Sequence, residues 1–260
     1  MSEARHSAAG TVETGQERTP QLELKGVTAG YSDDIDILQN VSLKVAKGST
    51  VGVIGLNGAG KSTIMRAIYG FVPPRRGQIF IDGEDVTHVP EYAMLERRVW
   101  YIPQESNLFP YLSIEDNLTL VRRRLIGVAP DPPPRPLEEV YEVFPDLGRQ
   151  RRSQAGDLSG GQQKMLQFAL ALMTQPKLCL IDEPTVGLSP KFAEHVYGWI
   201  EGFRRDGMSI LMVDHNVRRV MAETDYIYVL SLGRIAGEGT HEDFEQDLHG
   251  QVKEWLGISL

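Results

Sequence analysis

The octet Gly55-Leu56-Asn57-Gly58-Ala59-Gly60-Lys61-Ser62 sets three glycines, a lysine and a hydroxyl in the order G-x-x-x-x-G-K-[S/T]. Glycines let a backbone bend tightly enough to aim successive N–H groups at one point, which makes a concave nest for oxyanions. Lys61 is spaced to reach the β- and γ-phosphates of a nucleotide, and the Ser62 hydroxyl to ligate Mg²⁺. Hydrolysis of such a nucleotide needs a carboxylate near the metal and a group that orients or deprotonates the attacking water. Asp182 is the candidate for the first role, through water, and Glu183 for the second. A further group, Ser159-Gly160-Gly161-Gln162, puts a hydroxyl and two glycines at a helix start, where N–H groups and the helix dipole form another anion site. One chain thus carries two places that can hold phosphate.

These residues need elements to position them. Thr50–Ile54 reads as a buried strand running into the octet. A helix from Thr63 to Tyr69 follows, and its N-terminus adds partial positive charge at the phosphates, so Thr63 joins the binding set. Leu178–Ile181 is a continuous apolar run, as in a parallel strand covered on both faces. Asp182 and Glu183 follow it directly, at the strand end where parallel-sheet sites gather. Val99–Ile102 is a strand leading to Gln104, and Ser209–Val213 a strand leading to Asp214 and His215. Gln162–Thr174 repeats Met165, Phe168, Ala169, Leu172 and Met173 at helical spacing, one core-facing stripe.

Gln21–Val27, Leu38–Val45 and Gly77–Asp82 alternate in polarity and predict a small antiparallel sheet beside the nucleotide core. From about residue 105 to 160 the texture becomes helical. Ser113 is an N-cap with Asp116 three positions on, opening a helix to about Leu125. Ala129–Pro136 is proline-rich and irregular, and Leu137–Phe144 resumes a helical pattern. This block reads as an inserted helical subdomain. Phe192–Arg204 and Asn216–Glu223 read as helices, and Tyr226–Leu232 turns at Gly233 into Arg234–Gly237. Strands alternating with helices make the fold class α/β.

Composition narrows the partners. The 260 residues are 41% hydrophobic and 24% charged, an ordinary globular balance. A net charge of −8 disfavours a dedicated nucleic-acid binder. Cys179 is the only cysteine, which rules out an internal disulfide, and it lies in an apolar run as a small buried hydrophobe. No apolar run approaches the roughly 18 residues of a membrane span, so work on a membrane requires a partner that supplies the spans. Met1–Pro20 is polar, lacks the apolar stretch of a secretory signal, and reads as a disordered tail ahead of a single domain over residues 21–260.

Leu158-Ser159-Gly160-Gly161-Gln162, between the octet and Asp182-Glu183-Pro184, resembles the signature of the ATP-binding subunits of ABC transporters. The resemblance spans roughly Leu22 to Leu260. It implies a P-loop NTPase (RecA-like) core with the small β and inserted α subdomains. It also implies ATP and Mg²⁺ as cofactors, and a head-to-tail dimer in which the octet of one chain and the signature of the other enclose each ATP. Tyr31 resembles the aromatic that stacks on adenine. Gln104 resembles the glutamine that touches Mg²⁺ and the attacking water, and His215 the switch histidine at the γ-phosphate. Ser189 stands where many members carry an aspartate that contacts the opposite subunit, which departs from the pattern.

Several stretches are most similar to ATPases of branched-chain amino-acid importers and their urea and amide relatives. They are Val143–Leu147 with the basic Arg149–Arg152 behind it, Asp182–Pro190, and the ending Val252–Gly257. Asp214–Val217 is also similar to the ATPase of lipopolysaccharide export. The importer resemblance implies integral membrane permease subunits, an extracytoplasmic solute-binding protein, no nucleic acid, and a peripheral place on the cytoplasmic face of the inner membrane. It leaves open a homodimer or a heterodimer with a second ABC ATPase. The alternatives are an ABC ATPase of lipopolysaccharide-export type and a non-transport ABC ATPase acting on ribosomes or DNA. Translation-type relatives usually carry two cassettes, and chromosome-type relatives insert a long coiled coil where this chain has prolines and no sustained heptads. An ATP-gated scaffold without turnover is opposed by the presence of Asp182, Glu183 and His215.

Overall fold

The computed structural model describes residues 19–32, 34–128 and 131–245. The expected tail up to residue 18, the start of the proline-rich loop at 129–130, and the ending Val252–Gly257 lie outside the described residues.

β1 (Leu22–Ala29) and β2 (Leu38–Val45) pair antiparallel, with Leu24 opposite Leu43. β3 (Thr50–Ile54) runs into the octet, and α1 (Lys61–Ile68) leaves it. β4 (Arg76–Ile81) pairs with β1 and turns through Asp82 and Gly83 into β5 (Glu84–Asp85). These strands form the expected small antiparallel sheet, in the order β2-β1-β4-β5. β6 (Val99–Ile102) precedes three helices, α2 (Ile114–Ile126), α3 (Leu137–Val143) and α4 (Pro145–Arg149). Then come α5 (Gly160–Thr174), β7 (Leu178–Asp182), α6 (Pro190–Arg205), β8 (Ser209–Val213) and α7 (Val217–Glu223). β9 (Tyr226–Ser231), β10 (Arg234–Gly239) and α8 (His241–Glu245) follow.

The second sheet has the order β10-β9-β3-β8-β7-β6, parallel except for β10. Every residue of β3, β6, β7 and β8 is buried, because this sheet is covered on both faces. Alternate side chains feed two cores. Leu178, Leu180, Leu211 and Val213 pack with α1 and the antiparallel sheet. Cys179, Ile181, Ile210 and Met212 pack with the stripe of α5 and with α6. The α5 stripe Met165, Phe168, Ala169, Leu172 and Met173 is buried, as its spacing predicted. Burial also pushes the Cys179 thiol up, which suits an inert core residue.

Several boundaries differ from the sequence pattern, among them the start of α6 at Pro190 rather than Phe192 and the end of β1 at Ala29 rather than Val27. α1 begins at Lys61 rather than Thr63, because Gly60 adopts a left-handed conformation (φ 105°) and serves as N-cap. α5 begins at Gly160 rather than Gln162, because Ser159 caps it despite the weak helix propensity of two glycines. α4 has no counterpart in the pattern. Phe144 (φ −121°, ψ 68°) breaks α3, and Pro145 restarts a helix at its first position, where the missing N–H costs nothing.

Candidate nucleotide site

The octet is the turn between β3, in the middle of the parallel sheet, and α1. Its N-cap Gly60 offers no side chain, so the first N–H groups of α1 are left for an anion. Asn57, Gly58, Gly60, Lys61, Ser62 and Thr63 line a cavity of ≈ 440 Å³ together with Tyr31, Gln104 and Glu183. Gly55 and Ala59 shape the loop instead of lining this cavity. The Gly55 carbonyl accepts from Lys61 Nζ at 2.9 Å, and Ala59 N donates to Leu56 O at 3.1 Å. Lys61 is 5% exposed, and its ammonium also reaches Leu56 O (3.2 Å) and Glu183 Oε1 (3.6 Å). A phosphate entering this nest would meet a cation already held there.

The oxygens for a hard cation lie beside it. Ser62 Oγ donates to Asp182 Oδ1 at 3.1 Å, across the gap between α1 and the end of β7. Tyr101, from β6, donates its hydroxyl to Asp182 Oδ2 at 3.0 Å. Burial raises the Asp182 carboxyl above its ordinary range, against the pull of these two hydrogen bonds, and the nearby Glu183 adds to the rise. A cation at this point would offset that burial. Among the described residues no cluster of three His, Cys, Asp or Glu could hold a metal. Mg²⁺ usually keeps several waters and takes one or two carboxylates plus substrate phosphates, rather than a dedicated protein cage. Ser62, Asp182 and Gln104 fit that donor set.

Glu183 sits one residue past β7 with a positive φ of 41°, unusual for a residue with a Cβ, and its N–H donates to Val213 O at 2.9 Å. The conformation brings its carboxylate to Lys61 rather than letting it follow the strand. Gln104 lines both this cavity and a neighbouring one of ≈ 550 Å³ that is walled by Tyr69, Phe71 and Tyr101. Tyr31 is 57% exposed; its hydroxyl accepts from Arg66 Nη1 at 3.2 Å and lies 3.4 Å from Thr63 Oγ1.

His215 and Ser159–Gln162 line neither cavity. His215 is half-exposed at the end of β8, with Nδ1 3.4 Å from Asp214 Oδ1. Asp214 is fully buried and is fixed by Tyr197 Oη (3.1 Å) and by Asn216 N (2.9 Å). Ser159 Oγ accepts from Gln162 N at 3.4 Å while Gln162 Oε1 accepts from Ser159 N at 3.0 Å, a reciprocal cap. Gly161 is needed for packing, since a Cβ there would come within 2.9 Å of the Phe192 ring, whereas at Gly160 it would meet nothing. The Ser159 end of α5 is exposed. Ser189 caps α6, its Oγ accepting from Phe192 N at 3.3 Å.

Tyr101, Arg66 and Asp214 were not visible as site residues in the sequence. Tyr101 looked like one more apolar position of a buried strand, and its hydroxyl matters only because β6 lies beside β7.

Comparison with known proteins agrees with this geometry. The ABC transporter family model matches residues 38–186. A probable branched-chain amino acid transport ATP-binding protein, LivF, of Archaeoglobus fulgidus is 35% identical over 87% of this chain and 97% of its own length. The lipopolysaccharide export system ATP-binding protein LptB of Escherichia coli K12 is also 35% identical, over 82% of this chain and 88% of its own. The solved ATP-binding cassette MJ1267 superposes with a TM-score of 0.77 at 25% identity, covering 92% of this chain and 99% of that one. A dimeric cassette, MJ0796, in a post-hydrolysis state bound to ADP and Pi superposes at 0.72 with 26% identity, covering 85% of this chain and 98% of that one. The chain thus belongs to the ABC transporter family as an ATP-binding, ATP-hydrolysing cassette.

Proposed function

We propose that this cassette works as one of two ATPase subunits on the cytoplasmic face of a membrane and drives a permease that imports branched-chain amino acids or related small polar solutes. The observation that carries the site assignment is the convergence of Lys61, Ser62, Asp182 and Glu183 within hydrogen-bond or ion-pair reach, where the start of α1 meets the end of β7. Mg²⁺, when bound, draws charge from the β- and γ-phosphate oxygens. The chain's own groups do the rest. The octet N–H groups and Lys61 cradle the phosphates, and Ser62 and Asp182 set the metal side. Tyr31 stacks on adenine. Glu183 and Gln104 orient the attacking water, and Glu183 takes its proton. His215 meets the γ-phosphate.

The Ser159–Gln162 end of α5, exposed at Ser159 and Gly160, lies outside this chain's own cavity, which supports a second copy, or a homologous ATPase, placing that end over the ATP. Closure around the shared γ-phosphate is favoured because the contacts exist only in the closed pair. Among the described residues no helix is long and apolar enough to cross a membrane, so the spans belong to permease subunits. An extracytoplasmic solute-binding protein completes an importer of this kind.

The similarity to LivF supports the importer reading, and the equal identity to LptB supports a second one, a subunit of lipopolysaccharide export. Purifying the intact complex from native membranes and identifying its subunits tests both. Permease subunits with a solute-binding protein uphold the first, and an export assembly upholds the second. Ribosomes or DNA in place of membrane proteins overturn both.

A further inference from the structure

Two buried polar side chains, one turn apart on α5, take no part in the chemistry above. Lys164 is 6% exposed and Gln167 is 2% exposed. Lys164 Nζ donates to Pro103 O at 3.0 Å and to Gln104 O at 3.2 Å. Gln167 Nε2 donates to Glu105 O at 2.9 Å and to Asn107 Oδ1 at 3.0 Å. All four acceptors belong to the segment after β6. Outside the sheet ladder, no backbone–backbone hydrogen bond among the described residues involves 104–107. The two α5 side chains are therefore its main polar attachment. Burying a cation is costly unless it is well hydrogen-bonded, and hydrogen bonds from a cation are roughly twice as strong as neutral ones. Burial lowers the Lys164 ammonium to about 8, while the Asp182 carboxylate pulls it the other way.

What the clamp holds is placed between two sites. Gln104 is a wall of the nucleotide cavity and of the neighbouring ≈ 550 Å³ cavity. Lys164 lies little more than one turn from Gly160, the exposed start of the same helix. We propose that Lys164 and Gln167 are positioning residues that fix the 103–107 segment to α5, so that Gln104 and the Ser159–Gln162 helix end move as one body. The functional consequence rests on the two-copy reading above. Phosphate gripped at the helix end, in a nucleotide held by the other subunit, shifts Gln104 in this chain's own cavity.

The test uses the full chain and its Lys164→Met, Gln167→Leu and Lys164→Arg variants. Backbone order parameters of 104–107, from NMR relaxation, are expected to fall below about 0.6 in the first two, with α5 and the octet unchanged, because the segment loses its anchors while the helix core is intact. Binding of a fluorescent ATP analogue stays within about twofold of wild type, kcat falls, and the ATP dependence loses its cooperativity. Lys164→Arg keeps kcat and the order of the segment near wild type. Order parameters that stay at the wild-type level in 104–107 overturn the clamp. A loosened segment with wild-type kcat and cooperativity overturns its role. Should Lys164→Met fail to fold, Gln167→Leu probes the same segment. A wild-type protein that hydrolyses ATP without cooperativity counts against the two-copy reading, and the order parameters still decide the clamp.

Discussion

Glu183 and Tyr101 are the two side chains whose roles can be separated most cleanly. Glu183 is held in a left-handed backbone conformation that turns its carboxylate toward Lys61, 3.6 Å away. Such conformations cost free energy and persist where the surroundings over-determine them. If it orients and deprotonates the water, Glu183→Gln keeps its shape and loses only the base. We expect ATP binding to persist and turnover to fall by about 10²-fold or more, read by equilibrium binding and phosphate release. Unchanged turnover would remove Glu183 from that role. Tyr101 acts one shell out, through its 3.0 Å hydrogen bond to Asp182. Tyr101→Phe should raise the Mg²⁺ concentration for half-maximal hydrolysis about tenfold, with metal-free ATP affinity unchanged. A variant that needs no more Mg²⁺ than wild type shows that Asp182 is held well enough by Ser62. Glu183 was legible in the sequence because it abuts a strand end, whereas its φ and the Tyr101 contact depend on neighbours far along the chain.

At the scale of elements, the strands were the most legible part. β2, β3, β6 and β8 have the bounds their polarity patterns gave: β3, β6 and β8 because a sheet covered on both faces demands unbroken apolar runs, and β2 because a half-buried strand alternates. Helix starts were less so where glycine or proline opened them. α1, α4 and α5 all begin at or beside such residues, whose usual meaning in a pattern is a break. Where a hydroxyl cap was present the start was plain. Ser113 Oγ accepts from Asp116 N at 3.0 Å, as its position predicted. Ser113→Ala is expected to cost about 1 kcal/mol of stability in denaturant unfolding, with the unfolding slope preserved. A loss near zero would mean that packing of Ile114 and Leu118, both fully buried, fixes this helix end without its cap.

For the whole molecule, the decisive feature is that the two phosphate-holding ends do not face one cavity. Octet residues and Glu183 line one cavity, with Asp182 bonded to Ser62 beside it, while Ser159 and Gln162 cap each other elsewhere and Ser159 and Gly160 stay exposed. Sequence spacing alone could not tell whether the two ends meet within a chain, since that depends on where α5 lies relative to α1. The proposed pairing of copies would resolve the geometry, with each nucleotide held by the octet of one and the helix end of the other. Mixing two inactive variants tests this directly. Lys61→Ala disables the octet and Ser159→Arg blocks the helix end, so each alone should be nearly inactive. A mixed pair contains one site built from an intact octet and an intact helix end. Mixing the two purified variants should therefore restore hydrolysis well above the sum of the separate activities. A mixture no more active than that sum, at concentrations where the wild type is active, would contradict a site shared between two copies.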